Sequence, residues 1–385
     1  MLRCREWTKE EFFSLEDLMD RHYTEVNDST AIDEAEAFMQ DHPDAKNLPS
    51  YVTTSSLKIL TKMITHRIDA VISEYGEIAP YDQKFVNLAL EYCEEAIRRI
   101  ENGVYKSEIF RHTRQMENSI PIMHTHFNSH AADLAFQLIN FQPPEKKREF
   151  AYLAQIYYKE GIRLADKCGD FEHAANQFAN LSKAEYLISV HYQGEERLRW
   201  QIQSAKTRLK GAIKMLPFNR ISSMYNYADC AESKYIAGVH AGKVGELDKG
   251  QSLIRQSLRH MKDAFTICEE EILKCDDKNE AEKLCEWRAI KHYKAGKFAD
   301  FIYSHTRFQE DAHIAHDFYE EFVQTTQFKD TREYQDATLS LARLENAMSQ
   351  PEYKPTKSFV KEERRSWNKL NNEIRKGIEK ALGFD

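Results

Sequence analysis

The stretch KYIAGVHAGKVGELDKGQSLIRQSLR, residues 234–259, decides the fold class of this 385-residue chain. Small residues recur there at intervals of three and four, with Gly238, Ala241 and Gly245 on a first helix and Gly250 beginning the same spacing on a second. Residues spaced in this way lie on one face of a helix, and small side chains let two backbones approach closely. The stretch therefore predicts two helices folded back on each other.

This spacing resembles the tetratricopeptide repeat, a helical hairpin of roughly 34 residues with small residues on both helices. The match is partial, since Lys234 stands where that family usually has a large aromatic side chain. Residues 148–188 form a second similar stretch. Its predicted turn is at Gly169, and the predicted turn glycines of the chain, Gly169, Gly245 and Gly296, are unevenly spaced. The resemblance implies an irregular repeat and implies nothing about a substrate.

Composition indicates an all-α protein. The chain has 13 glycines and 9 prolines, while 30% of its residues are charged, which is typical of long helices with solvated faces. Pro143 and Pro144 form the clearest break in the chain. We expect an irregular helical-hairpin repeat, similar to a tetratricopeptide α-solenoid, at 143–350, a helical N-terminal region at 1–142 and a capping helix at 351–385. The sequence leaves open whether the N-terminal region is a separate subdomain.

Charge and cysteine content bear on partners and location. The formal net charge is -8, so the molecule as a whole should repel nucleic acid and anionic membranes. Seven cysteines without a C-x-x-C pair fit reduced thiols better than a disulfide framework or a zinc knuckle. No signal peptide is visible, and no stretch approaches the roughly 18 apolar residues of a membrane span. We expect a cytoplasmic protein with no membrane partner and no cofactor.

One long amphipathic helix, predicted for residues 195–216, is the best candidate for contacting a partner. Its predicted inward stripe is apolar and includes Leu198, Ala205 and Ile213. Its predicted outward face carries Arg197, Arg199, Trp200, Lys206, Arg208, Lys210 and Lys214. We expect an acidic protein or peptide segment to be recognised by Arg197, Arg199, Trp200, Lys206, Arg208 and Lys210. The alternatives are a nucleic-acid backbone, bound over residues 197–214, or a solvated face balanced by acidic neighbours.

Histidines form two clusters with helical spacing, and both are candidates for binding a metal ion. His126 and His130 are four residues apart, so one helix would present both imidazoles on one side. Glu310, His313 and His316 follow each other at intervals of three, and Glu-x-x-His is the pairing that carboxylate metal sites in helical bundles use. If the two clusters meet, they form a metal site. The alternative is polar surface or hydrogen-bonded core histidines.

Three functions therefore remain open. The first is a non-catalytic scaffold that binds a protein or peptide, the second a helical metal-dependent enzyme or ribonuclease, and the third a nucleic-acid-binding protein. Arg255 with His260 and Arg307 with His313 fit a loose ribonuclease spacing, but chance alone gives about as many pairs. No phosphate loop, dinucleotide fingerprint, G-x-S-x-G elbow or H-E-x-x-H motif occurs. We favour the non-catalytic scaffold, although missing motifs do not exclude an enzyme.

Overall fold

The computed structural model describes residues 80–102, 114–327 and 329–349. Every regular element within these ranges is helical, which confirms the predicted all-α fold. The α-helices are α1 Pro80–Glu101, α2 Arg114–Leu138, α3 Pro144–Cys168, α4 Phe171–Val190, α5 Gly194–Met215, α6 Arg220–Lys243, α7 Leu247–Lys274, α8 Lys278–Thr306, α9 Gln309–Thr325 and α10 Arg332–Met348. A short 3-10 helix, Ile139–Phe141, follows α2. The predicted capping helix at 351–385 lies outside the described residues.

The chain divides into two compact units, Met1–Ile188 and Ser189–Asp385, called here unit 1 and unit 2. In unit 1, α2 packs against both α1 and α3. Phe127 and Leu134 of α2 are fully buried in this packing, and Tyr158 of α3 is 2% exposed. The Tyr158 hydroxyl donates a hydrogen bond to Asp133 Oδ1 at 2.5 Å, so the buried phenol is satisfied.

In unit 2, each helix from α5 to α10 packs against the next one in the chain. Aromatic side chains fill much of its core: Tyr235 stacks on Phe298 with ring centroids 4.1 Å apart, and Phe265 stacks on His292 at 3.9 Å. Such buried ring pairs bury large apolar surfaces between neighbouring helices and thereby stabilise their packing. No helix in the described ranges is both long and apolar enough to cross a membrane.

The helical hairpin predicted from residues 234–259 is confirmed as α6 and α7. Gly245 does not continue the first helix but forms the turn between the two helices, with φ +93°, a left-handed conformation that glycine adopts without strain. A Cβ atom on Gly250 would lie 2.7 Å from the Gly238 carbonyl oxygen, and one on Gly238 would lie 2.7 Å from the Gly250 carbonyl oxygen. The two backbones therefore touch at the small residues that the sequence pattern identified.

Candidate functional site

The cations predicted to bind a partner lie on α5, and they differ in exposure. The exposed ones are Arg199, Lys206 and Lys210, while Arg197 and Lys214 are half-buried, as is the predicted contact residue Trp200. The Arg199 guanidinium lies 4.0 Å from the Glu196 carboxylate, one turn earlier on α5. An exposed pair at that distance contributes little to stability. Whether these side chains bind a partner stays a prediction.

Arg208 shows that the predicted outward face of α5 is wrong in part. Arg208 is buried, with 9% of its surface exposed, whereas Ile213, which the apolar pattern places inward, is 54% exposed. The Arg208 guanidinium donates a hydrogen bond to Asn226 Oδ1 at 3.0 Å and lies 3.3 Å from the Asp229 carboxylate. The buried face of α5 is lined in part by small side chains such as Ala212, and Arg208 lies on that face.

Lys234 is a second buried cation, on the α6 face that meets α7. Only 8% of its surface is exposed. Its ammonium group donates hydrogen bonds to Gln256 Oε1 at 2.8 Å and to His260 Nε2 at 2.9 Å. No carboxylate within the described ranges forms an ion pair with it. Burial lowers the pKa of Lys234, and repulsion from Lys206 also lowers it. The site therefore holds a positive charge that no neighbouring acid neutralises.

Three successive helices contribute basic side chains near Lys234. The basic cluster, as we call it, comprises Lys206, Arg208, Lys234, Arg259 and His260. Because the Lys234 ammonium can only donate, His260 Nε2 must accept, and His260 Nδ1 lies 3.3 Å from the Asp263 carboxylate. Burial lowers the pKa of His260, and Lys234 lowers it further, so the imidazole is neutral near pH 7. The cluster has more cations than neighbouring acids.

The pairs with ribonuclease spacing do not face a common site. Arg255 lies on α7 and forms an ion pair with Asp311 of α9 at 3.0 Å. His260, also on α7, contacts α6 instead. Arg307 ends α8 with a φ of 57°, and His313 is exposed on α9. Neither pair brings a guanidinium and an imidazole together around one opening.

His316 in unit 2 lies among carboxylates rather than among histidines. Its Nδ1 atom is 3.8 Å from Glu320, and its Nε2 atom is 3.6 Å from Glu345 of α10. Glu310 and His313, the other predicted ligands on α9, are both exposed. The ligand atoms that come together around His316 belong to neither of them. Glu310, His313 and His316 lie on one helix, as their spacing predicts, but Glu310 and His313 are not among the ligand atoms grouped around His316.

In unit 1, His126 has two histidine neighbours. The His126 and His130 rings are stacked with centroids 6.5 Å apart, and the His173 ring, from the first turn of α4, lies 4.7 Å from His126. One ligand atom each from His126, Asp170 and His173 lies within 4.8 Å of the others. We call these three residues the histidine cluster. The second predicted histidine group lies in unit 2, and the convergence of the two groups stays a prediction.

Sequence reasoning identified His126 but missed Asp170 and His173. The available signal was the run Gly169-Asp170-Phe171-Glu172-His173, in which an aspartate caps a helix and a histidine follows in its first turn. Burial lowers the pKa of His173, while Asp170 raises it, and burial has the larger effect. Nothing in the sequence connects this turn with a helix 44 residues earlier, so the cluster required the tertiary structure.

Comparisons with known proteins give weak likenesses. No protein-family model matches the chain, and no curated protein matches it. The chain is similar to BtubC (BKLC) from P. vanneervenii with a TM-score of 0.32 and 12% identity, over 89% of this chain and 96% of that one. A circular tandem repeat protein with a novel repeat topology gives a TM-score of 0.32 and 11% identity, over 92% and 86% of the two chains. A computationally designed self-assembling cyclic homo-oligomer gives 0.19 and 12%, over 88% and 98%.

Proposed function

We propose that this protein is a non-catalytic scaffold that binds an acidic segment of a partner protein through the basic cluster. The observation that carries the proposal is Lys234, a cation with 8% of its surface exposed whose ammonium has hydrogen bonds to neutral acceptors and forms no ion pair in the described ranges. A buried charge without a counter-ion is unfavourable, because the protein interior solvates it less well than water does. A carboxylate from a partner would supply the missing negative charge.

The polar groups that contact the basic cluster suit a carboxylate. Asn226 and Gln256 carry amide N–H groups that can donate, and Lys206 and Arg259 are exposed cations at the edge of the cluster. Hydrogen bonds between ionised groups are roughly twice as strong as neutral ones. A partner that places one or two acidic side chains, or a terminal carboxylate, against these donors would gain both charge pairing and a fixed orientation.

A peptide fits this surface better than a nucleic-acid backbone does. Affinity for a nucleic acid grows with the number of phosphates that are neutralised, and the basic cluster offers few exposed cations. Asp229 and Asp263 border it and would repel a continuous line of phosphates. The net charge of -8 also disfavours approach of a polyanion. Nucleic-acid binding is therefore the second candidate.

The architecture supports the same proposal. We propose that the α6–α7 hairpin is a tetratricopeptide-like unit, because its backbones touch at Gly238 and Gly250, where that repeat carries small residues. Helical hairpins of this kind present long side-by-side helices, which offer donors from several helices to one extended segment. A cytoplasmic location, which gives access to such partners, belongs to the proposal.

The test is a peptide array probed with the full-length protein. The array carries segments rich in Asp and Glu, peptides ending in a free carboxylate, and the same peptides with Asn and Gln in place of the acids. We expect acidic peptides to bind and their amide versions to bind at least about tenfold more weakly, since charged hydrogen bonds contribute about 1.5–3 kcal/mol each. Fluorescence anisotropy on the best peptide gives the affinity.

Two variants locate the site. Lys234→Met removes the buried charge at similar volume and should abolish peptide binding, and Lys283→Met, which alters an exposed lysine on α8, should leave the affinity unchanged. Arg208 is left intact, because its pairing with Asn226 and Asp229 makes it part of the packing. Equal binding by both variants contradicts the proposal. Binding of duplex DNA or RNA, with steep salt dependence and no peptide binding, would favour the nucleic-acid alternative.

A further inference from the structure

The histidine cluster of unit 1 is assembled from two separate elements. His126 comes from the middle of α2, while Asp170 and His173 come from the turn before α4 and from its first turn. All three side chains are half-buried, so their ligand atoms are held by packing and are still reachable from solvent. These atoms lie within 4.8 Å of one another, whereas ligand atoms of one tetrahedral Zn²⁺ ion lie roughly 3.4 Å apart, so a small movement of the side chains would close them around an ion.

The orientation of His173 is fixed by a hydrogen bond on one side of its ring. The Ser129 hydroxyl donates to the Thr125 carbonyl at 3.1 Å, so its oxygen accepts from the His173 Nε2–H at 2.7 Å. That assignment leaves the lone pair of His173 on Nδ1. Histidines that bind metals usually donate their other ring N–H to a fixed acceptor, and Ser129 provides this acceptor.

Close packing of α3 against α2 keeps Ser129 in place. A Cβ atom on Gly161 of α3 would lie 3.1 Å from Ser129 Oγ and 3.6 Å from its backbone nitrogen. Only glycine leaves full room for the hydroxyl at that position. The contact with Gly161 therefore supports the hydrogen bond that orients His173, although Gly161 is not itself a proposed ligand.

Asp170 is held by the start of α4. Its Oδ1 atom accepts a hydrogen bond from the backbone N–H of His173 at 3.2 Å, as a helix-capping aspartate does. Its own backbone N–H donates to the Ala165 carbonyl at 2.9 Å. A carboxylate has lone pairs on both oxygens, so one oxygen caps the helix while the group still has capacity for a cation.

We propose that His126, Asp170 and His173 bind one divalent transition-metal ion, with Zn²⁺ as the best match, and thereby link α2 to the start of α4. Two imidazoles and one carboxylate are ligands that Zn²⁺ prefers, whereas Mg²⁺ and Ca²⁺ prefer oxygen ligands alone. Three protein ligands leave a fourth position for water. This site is in unit 1 and is independent of the basic cluster in unit 2.

The acidic group around His316 is the natural control. His316, Asp317 and Glu320 also approach one another, yet the Asp317 side chain is 78% exposed and the Glu320 side chain 51%. Only one imidazole is present there, and the exposed carboxylates are solvated by water. If a metal ion bound at His316 instead, substitution of His316 would abolish metal binding and substitution of His126 or His173 would not.

The test uses the full-length protein after treatment with a chelator. Isothermal titration with Zn²⁺ should show one equivalent bound, Co²⁺ should give the visible absorption of an ion with nitrogen ligands, and Mg²⁺ should give no binding. Zn²⁺ should also raise the midpoint of thermal unfolding, because an ion that binds only the folded state stabilises it. His126→Gln and His173→Gln should each abolish this binding and this shift.

Two further variants separate loss of a ligand from loss of the fold. Asp170→Asn keeps a capping oxygen for α4 but removes the negative charge, so it should weaken Zn²⁺ binding at least about tenfold with an unchanged circular dichroism spectrum. Ser129→Ala should weaken it about tenfold, since partners of metal-binding histidines typically contribute 10–100-fold. His316→Gln should retain the full affinity. Wild-type affinity in Asp170→Asn, loss of binding in His316→Gln, or no Zn²⁺ bound by the unaltered protein would each overturn the proposal.

Discussion

Two charges on α6, two residues apart, have opposite surroundings. Glu232 faces α8, where the Lys291 ammonium lies 2.5 Å and the Lys294 ammonium 2.9 Å from its Oε1 atom. Lys234 faces α7 and has only the neutral acceptors Gln256 and His260 for its hydrogen bonds. Glu232 thus forms ion pairs with two cations, whereas Lys234 forms an ion pair with no acid in the described residues.

The difference separates a charge that is paired within the fold from one that has only neutral hydrogen-bond partners. Burial raises the pKa of Glu232, but the ammonium groups of Lys291 and Lys294 together outweigh it and hold that pKa below its usual range. A paired acid of this kind stabilises the native packing of α6 and α8. Lys234 has a lowered pKa and contributes no such pairing. A residue whose buried charge lowers the stability of the folded protein is a candidate for contacting a partner.

The largest expected effect comes from separating α6 and α7. Gly250→Val places side-chain carbon within 2.7 Å of the Gly238 carbonyl oxygen, so α7 must move away and take Gln256 and His260 with it. We expect the free energy of unfolding to fall by about 3 kcal/mol, as overpacking at a tight contact does. Urea denaturation measures it. Leu273→Ala, at an 87% exposed position on the same helix, should change it by less than about 0.5 kcal/mol.

The second effect tests the paired charge. Glu232→Gln leaves Lys291 and Lys294 without their acid, and we expect a loss of about 1–2 kcal/mol in the free energy of unfolding, because the pair is only partly shielded from water. The contribution of Glu232 is present above its ordinary pKa of 4.5 and is lost as the pH falls through its lower folded-state pKa. Denaturation at pH 7 and at pH 3 should therefore show a smaller difference from wild type in acid.

The third effect has the opposite sign. Lys234→Met removes a buried charge without a counter-ion, so we expect the free energy of unfolding at pH 7 to rise by about 1 kcal/mol. Since the pKa of Lys234 is lowered on folding, the unfolded chain binds the proton more tightly. The wild type should therefore gain stability relative to this variant as the pH rises toward 10.5. A destabilised Lys234→Met would end the contrast with Glu232.

The smallest effect concerns His260. Burial, Lys234 and Arg259 lower its pKa, and Asp263 opposes them, so the folded protein resists protonation that the unfolded chain accepts. Stability should fall as the pH drops below 6.5, and His260→Gln should remove a few tenths of a kcal/mol of this dependence between about pH 6.5 and pH 5. Thermal unfolding of the two proteins across this range measures the difference. An identical pH dependence would show that folding does not lower the pKa of His260.

The packing of α5 shows where sequence reasoning stops. An apolar stripe predicted that Ile213 points inward and Arg208 outward, and the structure places both the other way. A hydrophobic pattern identifies a helix, but the face that is buried also depends on the shape of the neighbour. Here Asn226 and Asp229, both on α6, supply the partners that make a buried arginine acceptable.

Lys234 is a residue whose burial and surroundings the sequence did not predict. In the sequence it was only a departure from the aromatic that the repeat pattern usually has at that position. Its burial and its lack of an acid depend on which side chains α5 and α7 bring to it. Contacts between residues 22 and 26 positions apart, such as those with Gln256 and His260, are set by packing and not by local spacing.

The sequence by itself determined the all-α class and the α6–α7 hairpin, because small residues at helical spacing and a turn glycine act through local geometry. Only the tertiary structure decided the basic cluster and the histidine cluster. Each is built from residues on elements far apart in the chain, such as His126 and His173, whose meeting depends on how whole helices pack. The net charge around a buried site depends on all the side chains that pack against it, so it cannot be predicted from one segment of the sequence.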